Sequence, residues 1–332
     1  MRRIHLRLGL VLLIALLLAA CTRAAQPAAP PAAPTALPPT APPPTAPPPT
    51  EPPTAPPPTA TTAPTDPPPT ATSEPTATPT VAATQVITEF AKLDDITMYY
   101  ASYGDGDPLI LLHGGLSSGD NFVYQVPEFS KTYRVITPDS RGQGRSTDSD
   151  EPLTYHLMAE DVVQLMDYLE LQSAFIVGWS DGGNIALDMA INHPDRVRAL
   201  VTYGANASPA GLKPSATSFF ESASAETLQA ELGAEYLTLS ATPDYLPVIV
   251  EKVRTMVLSE PNFTAEQLAT ITSPTLIADG SLDQVIDREH VKWIAASIPG
   301  AELKLIPGAD HFAPRAAPVL FNRAVLGFLE GK

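Results

Sequence analysis

The 332-residue sequence predicts an α/β fold in which a mostly parallel sheet carries helices on both faces. Two observations lead to this prediction. Residues 108–112 and 174–177 are short apolar runs without alternating polar positions, which is typical of strands buried on both faces. Longer segments such as residues 157–171 place apolar residues at helical spacing between such runs. Strands that alternate with helices in this way form parallel sheets.

The predicted elements follow in order from residue 85. Residues 85–103 are rich in β-branched and aromatic residues and break at Asp94 and Asp95, which predicts a hairpin. The later predicted strands are residues 108–112, 133–137, 174–177, 197–203, 274–278 and 302–306. The predicted helices are residues 157–171, 184–193, 288–297 and 318–329.

Residues 208–270 interrupt the alternation. They contain helical stretches and scattered aromatic residues but no convincing strand. An insertion of this kind between two strands of the sheet predicts a small helical cap over one end of the sheet.

The chain before residue 85 has a different composition. Of the 38 prolines, 23 lie between Pro27 and Pro79. Because proline removes backbone donors and the surrounding alanine and threonine offer little to bury, we do not expect this part to pack. Residues 85–332 hold nearly all the aromatic residues and are long enough for one domain with a sizeable core.

Residues 1–20 have the features of an export signal. Three arginines precede an apolar run over residues 8–18, which is shorter than the roughly 20 residues that span a bilayer. The Leu-Ala-Ala-Cys sequence that ends at Cys21 resembles a bacterial lipobox. The resemblance implies that Cys21 is lipidated and that the protein is anchored in a bacterial cell envelope, on the extracytoplasmic side. The alternatives are an ordinary cleaved signal and a signal anchor.

Residues 21–84 form a Pro/Thr/Ala tract with near-repeats of Thr-Ala-Pro-Pro-Pro. Such a tract favours polyproline II, and roughly 60 residues at about 3.1 Å each reach about 190 Å. We therefore predict a disordered spacer between Cys21 and the folded domain. The alternatives are a ligand for a proline-recognising partner and an O-glycosylated stalk.

The charge excludes one class of partner. The chain has a net charge of −16, and residues 1–84 hold four Arg and three acidic residues, so the remainder carries −17. Such a surface repels phosphate backbones, and we expect no binding to nucleic acid. The sequence has no Walker A motif, no GxGxxG after a strand, no HExxH and no pair of cysteines, so we expect neither a cofactor nor a metal.

A nucleophile motif follows the strand predicted at residues 174–177. Gly178-Trp-Ser-Asp-Gly182 stands between that strand and the next helix, which is the context that a nucleophile elbow requires. The glycines allow a tight, strained turn that presents the hydroxyl of Ser180 at the carboxyl end of the sheet. We predict that Ser180 is the nucleophile.

Serine needs a general base, and the base needs an orienting acid. His311 follows the last predicted strand, and Asp283 follows the strand before it. The chain order Ser180, Asp283, His311 is the order of an α/β-hydrolase triad.

The rival residues have other predicted roles. Asp279 is expected to lie still in the strand, Asp287 is a plausible helix N-cap, and Asp310 adjoins His311 and points elsewhere. The remaining histidines are His5 in the signal, His113 in a glycine-rich loop, and three near helix ends where a surface role is expected, His156, His193 and His290.

Acyl transfer also needs hydrogen-bond donors for the developing oxyanion. The backbone N–H of Asp181, at the start of the helix after the nucleophile, is one predicted donor. The second is expected from the loop after the strand at residues 108–112, as the N–H of Gly115 or Leu116. We interpret His113 in that loop as a structural hydrogen-bonding residue.

These features together resemble the α/β-hydrolase family over residues 85–332. Within that family, residues 178–183 and 203–206 are similar to the biphenyl hydrolase-like (valacyclovir hydrolase-like) branch, which cleaves esters of amino acids. The resemblance implies that Asp181 receives an ammonium group of the substrate and that Trp179 shapes the pocket. The alternative for Asp181 is a first-turn acid that stabilises the helix dipole.

The hypothesis from the sequence is a membrane-tethered serine hydrolase that cleaves a small carboxylic ester or a related acyl bond. A C–C bond hydrolase and a cofactor-free haloperoxidase or perhydrolase on the same triad are alternatives. The non-enzymatic alternative is a tethered binding module with a hydrolase fold.

Overall fold

The computed structural model describes residues 86–332, which form an eight-stranded sheet. The strands are β1 (Val86–Lys92), β2 (Thr97–Tyr103), β3 (Asp107–Leu112), β4 (Tyr133–Pro138), β5 (Ala174–Trp179), β6 (Val197–Tyr203), β7 (Thr275–Gly280) and β8 (Glu302–Ile306). Their order is β1-β2-β4-β3-β5-β6-β7-β8. β1 pairs antiparallel with β2, β2 pairs antiparallel with β4, and every other pairing is parallel. The predicted fold class is confirmed.

The helices fill the connections between the strands. They are α1 (Val126–Phe129), α2 (Tyr155–Tyr168), α3 (Asp181–Asn192), α4 (Pro214–Ser222), α5 (Ala225–Leu232), α6 (Ala234–Leu239), α7 (Leu246–Ser259), α8 (Ala265–Leu268), α9 (Arg288–Ser297), α10 (Ala313–Ala316) and α11 (Pro318–Leu329). Among them, none combines the length and the apolar composition that crossing a membrane requires.

The apolar strand residues divide between two cores, one on each face of the sheet. Along β5, Ile176 packs into a core with α2, α3 and α9, whereas Phe175 and Val177 pack into a second core with α11. Burial of each such side chain stabilises the fold by about 1.5–3 kcal/mol. Burial on both faces explains why the strand sequences are continuously apolar.

Two predicted boundaries around the nucleophile are wrong by a few residues. The strand predicted to end at residue 177 continues to Trp179, because Gly178 and Trp179 still pair with Thr202 and Tyr203 of β6. The next helix begins at Asp181 rather than at residue 184. One residue, Ser180, therefore separates strand from helix.

The segment at residues 208–270 forms the predicted helical cap and contributes α4 to α8. Its only sheet-type pairing is a single bridge between Leu212 and Ile286. Apolar residues of α7, such as Ile249 and Val253, are buried in the same core as α2 and α3. The cap thus shares a buried core with the rest of the domain rather than being held apart as a separate unit.

The predicted signal at residues 1–20, the lipidation of Cys21 and the spacer at residues 21–84 lie outside the described residues.

Candidate active site

Ser180 stands in a strained turn between β5 and α3. Its φ is +56°, in the left-handed region that residues other than glycine rarely adopt. A Cβ at Gly178 would collide with the carbonyl oxygen of Gly182, and a Cβ at Gly182 would collide with that of Leu112. Both glycines are therefore required for the turn between β5 and α3 to pack this closely against the end of β3.

Three side chains meet in one hydrogen-bonded line. Nε2 of His311 lies 3.0 Å from Oγ of Ser180, and Nδ1 of His311 lies 2.7 Å from Oδ2 of Asp283. His311 and Asp283 are each 4% exposed. The structure thus brings together the three predicted residues, which stand 131 and 28 positions apart in the chain.

The carboxylate of Asp283 is fixed by the chain that follows it. Its Oδ1 accepts hydrogen bonds from the N–H groups of Val285 at 2.6 Å and Ile286 at 2.8 Å. Burial acts to raise the pKa of Asp283, but the hydrogen bond and charge of His311 outweigh burial and lower that pKa. Asp283 is therefore ionised and oriented toward His311.

The rival acids occupy other positions, as the sequence predicts. Asp279 lies within β7, and its Oδ1 accepts a hydrogen bond from the N–H of Gly280 at 2.8 Å. Asp287 is the N-cap of α9. Asp310 accepts a hydrogen bond from the N–H of Phe312 at 2.9 Å.

Gly204 lacks a side chain and so provides the room in which His311 and Asp283 meet. The sequence analysis did not predict this role. Its φ is +62°, and a Cβ at this position would lie 2.9 Å from the imidazole of His311 and 3.4 Å from Oδ2 of Asp283. The only signal in the sequence is a glycine directly after the strand that neighbours the nucleophile strand.

The indole of Trp179 supports the loop that carries His311. Its Nε1–H donates to the carbonyl oxygen of His311 at 2.7 Å, and its ring centroid lies 6.0 Å from that of Phe312. Trp179 is 5% exposed and belongs to the core on the α11 side of the sheet. Contact with a substrate stays a prediction for this residue.

The predicted oxyanion loop lies against the nucleophile. A Cβ at Gly114 would lie 3.2 Å from Cβ of Ser180, and Leu116 adopts a φ of +53°. Within residues 86–332, the N–H groups of Gly115, Leu116 and Asp181 donate to no protein acceptor. Donors that are left free beside a nucleophile are suited to bind a developing oxyanion.

His113 holds this loop in place, as expected for a structural residue. Its Nε2 accepts a hydrogen bond from the N–H of Ser140 at 2.9 Å, and its Nδ1 faces the carbonyl oxygen of Gly114 at 2.7 Å. With both ring nitrogens occupied and only 1% of the residue exposed, His113 is not available as a base. His290, for which a surface role was expected, is instead half-buried and accepts from the N–H of Ala207 at 3.0 Å.

The side chain of Asp181 is buried with one oxygen free. Oδ1 accepts from the hydroxyl of Tyr155 at 2.8 Å, whereas Oδ2 has no hydrogen-bond partner within the described residues and lies close to Gly115. Burial raises the pKa of Asp181, and the hydrogen bond from Tyr155 opposes that rise. A free carboxylate oxygen beside the nucleophile is suited to receive a cationic group.

The cap is tied to this site by polar contacts. The carboxylate of Glu235 on α6 accepts hydrogen bonds from the hydroxyl of Ser118 and from Nδ2 of Asn121, the latter at 2.7 Å. Arg315, just after the His311 loop, donates to Oδ1 of Asn121 at 2.6 Å. The contacts link the cap, the segment that follows the oxyanion loop, and α10, which follows His311.

No metal centre is seen in the part of the chain that the structure describes. Among residues 86–332, no group of three or more His, Cys, Asp or Glu side chains is arranged to hold an ion. The chemistry that this arrangement offers is that of an activated hydroxyl, a base and backbone donors.

Comparison with known proteins identifies the family. A family model described as alpha/beta hydrolase fold matches residues 107–228. RutD of Caulobacter sp. (strain K31), a protein named as a carbamate hydrolase, is 30% identical over 268 residues, which cover 71% of this chain and 96% of RutD. The chain belongs to the α/β-hydrolase family. The family that the sequence motifs resemble is therefore confirmed.

The chain is also similar to two further hydrolases. Serine hydrolase BPHL of Mus musculus is 29% identical over 261 residues, covering 74% of this chain and 88% of that protein, which supports the biphenyl hydrolase-like branch. The solved structure of Est816, described as an N-acyl homoserine lactone degrading enzyme, matches with a TM-score of 0.60 and 29% identity. The match covers 72% of this chain and 100% of the Est816 chain.

Proposed function

We propose that this α/β-hydrolase is a serine hydrolase that cleaves a small carboxylic ester or a related acyl bond. The observation that supports the proposal is the line of hydrogen bonds from Ser180 through His311 to Asp283, at 3.0 and 2.7 Å. A hydroxyl at its ordinary pKa is a weak nucleophile, and this line supplies the base and the orienting acid that activate it.

The reaction begins with attack on the acyl carbon. Oγ of Ser180 bonds to the carbonyl carbon while Nε2 of His311 takes the hydroxyl proton, and the carbonyl oxygen becomes an oxyanion. The N–H groups of Asp181 and of Gly115 or Leu116 stabilise that oxyanion. Removal of one such donor typically lowers kcat by about 10²–10³.

The tetrahedral intermediate then collapses to an acyl-enzyme. His311 gives its proton to the leaving group, and the acyl group stays on Ser180. Water, deprotonated by His311, then attacks the same carbon, the bond between that carbon and Oγ of Ser180 breaks, and His311 returns the proton to Oγ as the acid leaves. Asp283 holds the imidazole so that Nδ1–H points to the carboxylate and Nε2 faces the serine in both halves of the reaction.

The proposed substrate carries a cationic group near the scissile bond. Oδ2 of Asp181 supports this, because a buried carboxylate oxygen without a partner gains a charge-assisted hydrogen bond from an ammonium group. The opposite end of the carboxylate is held by Tyr155, so the free oxygen has a fixed position. An aminoacyl ester has the required chemistry.

We also propose that the enzyme works on the extracytoplasmic side of a bacterial envelope, tethered by lipid at Cys21. The lipobox-like sequence and the proline-rich spacer after it support this proposal.

Turnover of small esters tests the reaction. We expect the full chain to hydrolyse p-nitrophenyl esters and the Ser180→Ala variant to lose activity by about 10³-fold or more. Ser222→Ala, at an exposed serine of α4, is the matched control and retains activity. Equal turnover by Ser180→Ala and the parent contradicts the proposal.

A further inference from the structure

A buried asparagine connects the segment after the proposed oxyanion loop with the cap and with α10. Asn121 is 4% exposed and stands five positions after Leu116. Its Nδ2 donates to Oγ of Ser117 at 2.5 Å and to Oε2 of Glu235 at 2.7 Å. Its Oδ1 accepts from the guanidinium of Arg315 at 2.6 Å. One amide group therefore joins three parts of the chain.

The two charged neighbours fix the orientation of this amide. An ionised carboxylate only accepts hydrogen bonds and a guanidinium only donates them, so Nδ2 of Asn121 has to face Glu235 and Oδ1 has to face Arg315. Both contacts are charge-assisted, which makes them stronger than hydrogen bonds between neutral groups. The side chain of Asn121 is thus held at both ends.

The residues next to the proposed oxyanion donors belong to the same arrangement. Ser117 follows Leu116 directly, and the hydroxyl of Ser118 donates to the carboxylate of Glu235. The main-chain N–H of Asn121 donates to the carbonyl oxygen of Ser118 at 3.1 Å and closes the turn. The turn that begins after the φ of +53° at Leu116 is therefore held through its main chain and through its side chains.

The other end of the arrangement lies beside the proposed base. Arg315 on α10 stands four positions after His311. A second buried amide, that of Gln125, donates to the main-chain oxygen of Pro314 at 2.9 Å. Asn121 and Gln125 thus both tie the segment after the oxyanion loop to the helix that follows His311.

Glu235 brings the cap into this arrangement. It lies on α6, and its carboxylate is the acceptor for both Ser118 and Asn121. Another polar contact of the cap is made elsewhere, where Nζ of Lys252 on α7 donates to Oδ2 of Asp148 at 2.6 Å. Displacement of α6 would therefore remove two acceptors from the segment after the oxyanion loop while the contact of α7 stayed in place.

We infer that Asn121 and Glu235 are positioning residues through which the docked cap sets the proposed oxyanion donors relative to the triad. The inference rests on the proposed function, because donors at Gly115 or Leu116 act on an oxyanion that forms at Ser180. A contact that only attaches the cap alters stability and substrate binding. A contact that sets the donors alters the binding of the transition state more than that of the substrate.

The first test changes the hydrogen-bonding pattern of Asn121 with little change in shape. Asn121→Asp places a second carboxylate oxygen against Glu235, so the two side chains repel each other. Because small displacements of catalytic groups are costly, we expect kcat for a p-nitrophenyl ester to fall by about tenfold or more, while KM changes by less than about twofold. Asn192→Asp is the matched control and keeps the kcat of the parent. Asn192 also donates to a carboxylate, that of Asp188 at 3.0 Å, but at the end of α3.

The second test restores the contact with its polarity reversed. When Glu235→Gln is added to Asn121→Asp, the introduced amide donates to the introduced carboxylate, and its oxygen still accepts from Ser118. We expect kcat of the double variant to return to within about threefold of the parent. Glu235→Gln alone loses less than Asn121→Asp, because an amide oxygen can still accept from Asn121. A double variant no more active than Asn121→Asp overturns the inference.

A transition-state analogue separates positioning from stability. Oγ of Ser180 adds to the carbonyl carbon of a trifluoromethyl ketone, the hydroxyl proton passes to His311, and the ketone oxygen becomes an oxyanion. We expect Asn121→Asp to weaken inhibition by the factor that it takes from kcat, and the double variant to restore it. Thermal unfolding checks that every full-length variant is folded at the assay temperature. A lower unfolding temperature with unchanged kcat and inhibition shows a contact that only attaches the cap, and overturns the inference.

The same measurements distinguish failure of the inference from failure of the proposed function. If turnover by the parent depends on Ser180 but Asn121→Asp and Asn192→Asp are equally active, the inference is overturned and the proposed function stands. If the ketone does not inhibit the parent and Ser180→Ala turns over esters as the parent does, the proposed function is overturned and the positioning role falls with it.

Discussion

At the scale of single residues, Gly204 shows how little room the proposed triad has. A Cβ at this position would lie 2.9 Å from the imidazole of His311, closer than real Cβ atoms approach their neighbours. The positive φ of +62° adds a backbone cost of roughly 1–2 kcal/mol for any residue other than glycine. The site therefore requires a residue without a Cβ at position 204.

We predict that Gly204→Ala lowers both stability and activity. Gly308→Ala is the matched control, because Gly308 has a φ of +75° but nothing within 4 Å of an added Cβ. Gly308→Ala is expected to lose about 1–2 kcal/mol in the free energy of unfolding from its backbone conformation, and Gly204→Ala is expected to lose more because its Cβ also meets His311. Only Gly204→Ala is expected to lose kcat/KM for an ester, by about tenfold or more, because only there is His311 displaced. Equal kcat/KM values for the two variants would contradict this account.

Among the site residues, Asp181 is the one whose proposed role bears most on which substrate the enzyme prefers. We predict that Asp181→Asn loses the preference for an aminoacyl ester over the same ester without its amino group, by about 10–100-fold. The loss arises because a neutral amide gives up the charge-assisted part of the interaction with the ammonium, while the desamino ester is bound equally well. Kinetics with the two esters measure the ratio.

The control for this measurement is Asp188→Asn. Asp188 stands further along the same helix, α3, away from the nucleophile. Its Oδ1 lies 2.9 Å from Nδ1 of His156. This variant keeps the preference of the parent. An unchanged ratio in Asp181→Asn would instead favour the helix-dipole role for Asp181.

At the scale of elements, the turn after β4 is held by a buried guanidinium. Arg141 is 1% exposed and forms paired hydrogen bonds with Asp161 on α2, at 2.6 and 2.7 Å, and with Asp95 in the β1–β2 turn, at 2.9 and 3.0 Å. This one side chain therefore joins three elements that the sequence separates. Planar guanidinium groups are suited to such paired contacts with carboxylates.

We predict that Arg141→Ala costs about 3–5 kcal/mol in the free energy of unfolding, because it leaves the buried Asp161 without its cation. Lys131→Ala removes an exposed ion pair with Glu128 and is expected to cost at most about 1 kcal/mol. Chemical denaturation of both variants measures the difference. A cost for Arg141→Ala no greater than that of the control would show that the guanidinium does not hold these elements together.

The elements themselves were largely predictable from the sequence, and the reason is burial. Strands with both faces covered are continuously apolar, so β3, β5 and β6 stand out from their surroundings. The end of β5 was placed too early because Gly178 is no strand former by itself. Its pairing with Thr202 of β6 is a long-range contact that the local pattern does not contain.

The motif and the chain order predict the three polar residues of the proposed triad. They do not predict the residues that hold the site in place. The hydroxyl of Tyr155 reaches Asp181 across 26 positions, and Trp179 reaches the carbonyl of His311 across 132 positions. Such contacts depend on how strands and loops are arranged in space, and no local spacing encodes them.

At the scale of the whole molecule, the hydrolase fold occupies one part of the chain and the proposed tether another. Cys21 is the only cysteine, so its substitution removes lipidation without disturbing any other thiol. The described domain contains the entire proposed site. Catalysis is therefore expected to be independent of the anchor.

We predict that Cys21→Ser releases the protein from the membrane of a bacterial expression host and leaves its ester turnover unchanged. Metabolic labelling with an alkyne fatty acid, followed by membrane fractionation, measures both lipidation and location. The parent incorporates the label and sediments with membranes. Label retained in Cys21→Ser would contradict the lipobox interpretation.

The central claim is that Ser180 is a nucleophile activated by His311, and covalent labelling tests it most directly. The full-length protein is treated with a fluorophosphonate and the modified peptide is identified by mass spectrometry. We expect one adduct, on Ser180, which is lost in Ser180→Ala and formed at least about 100-fold more slowly in His311→Ala. An adduct on a different residue, or labelling of Ser180→Ala at the rate of the parent, would contradict the account.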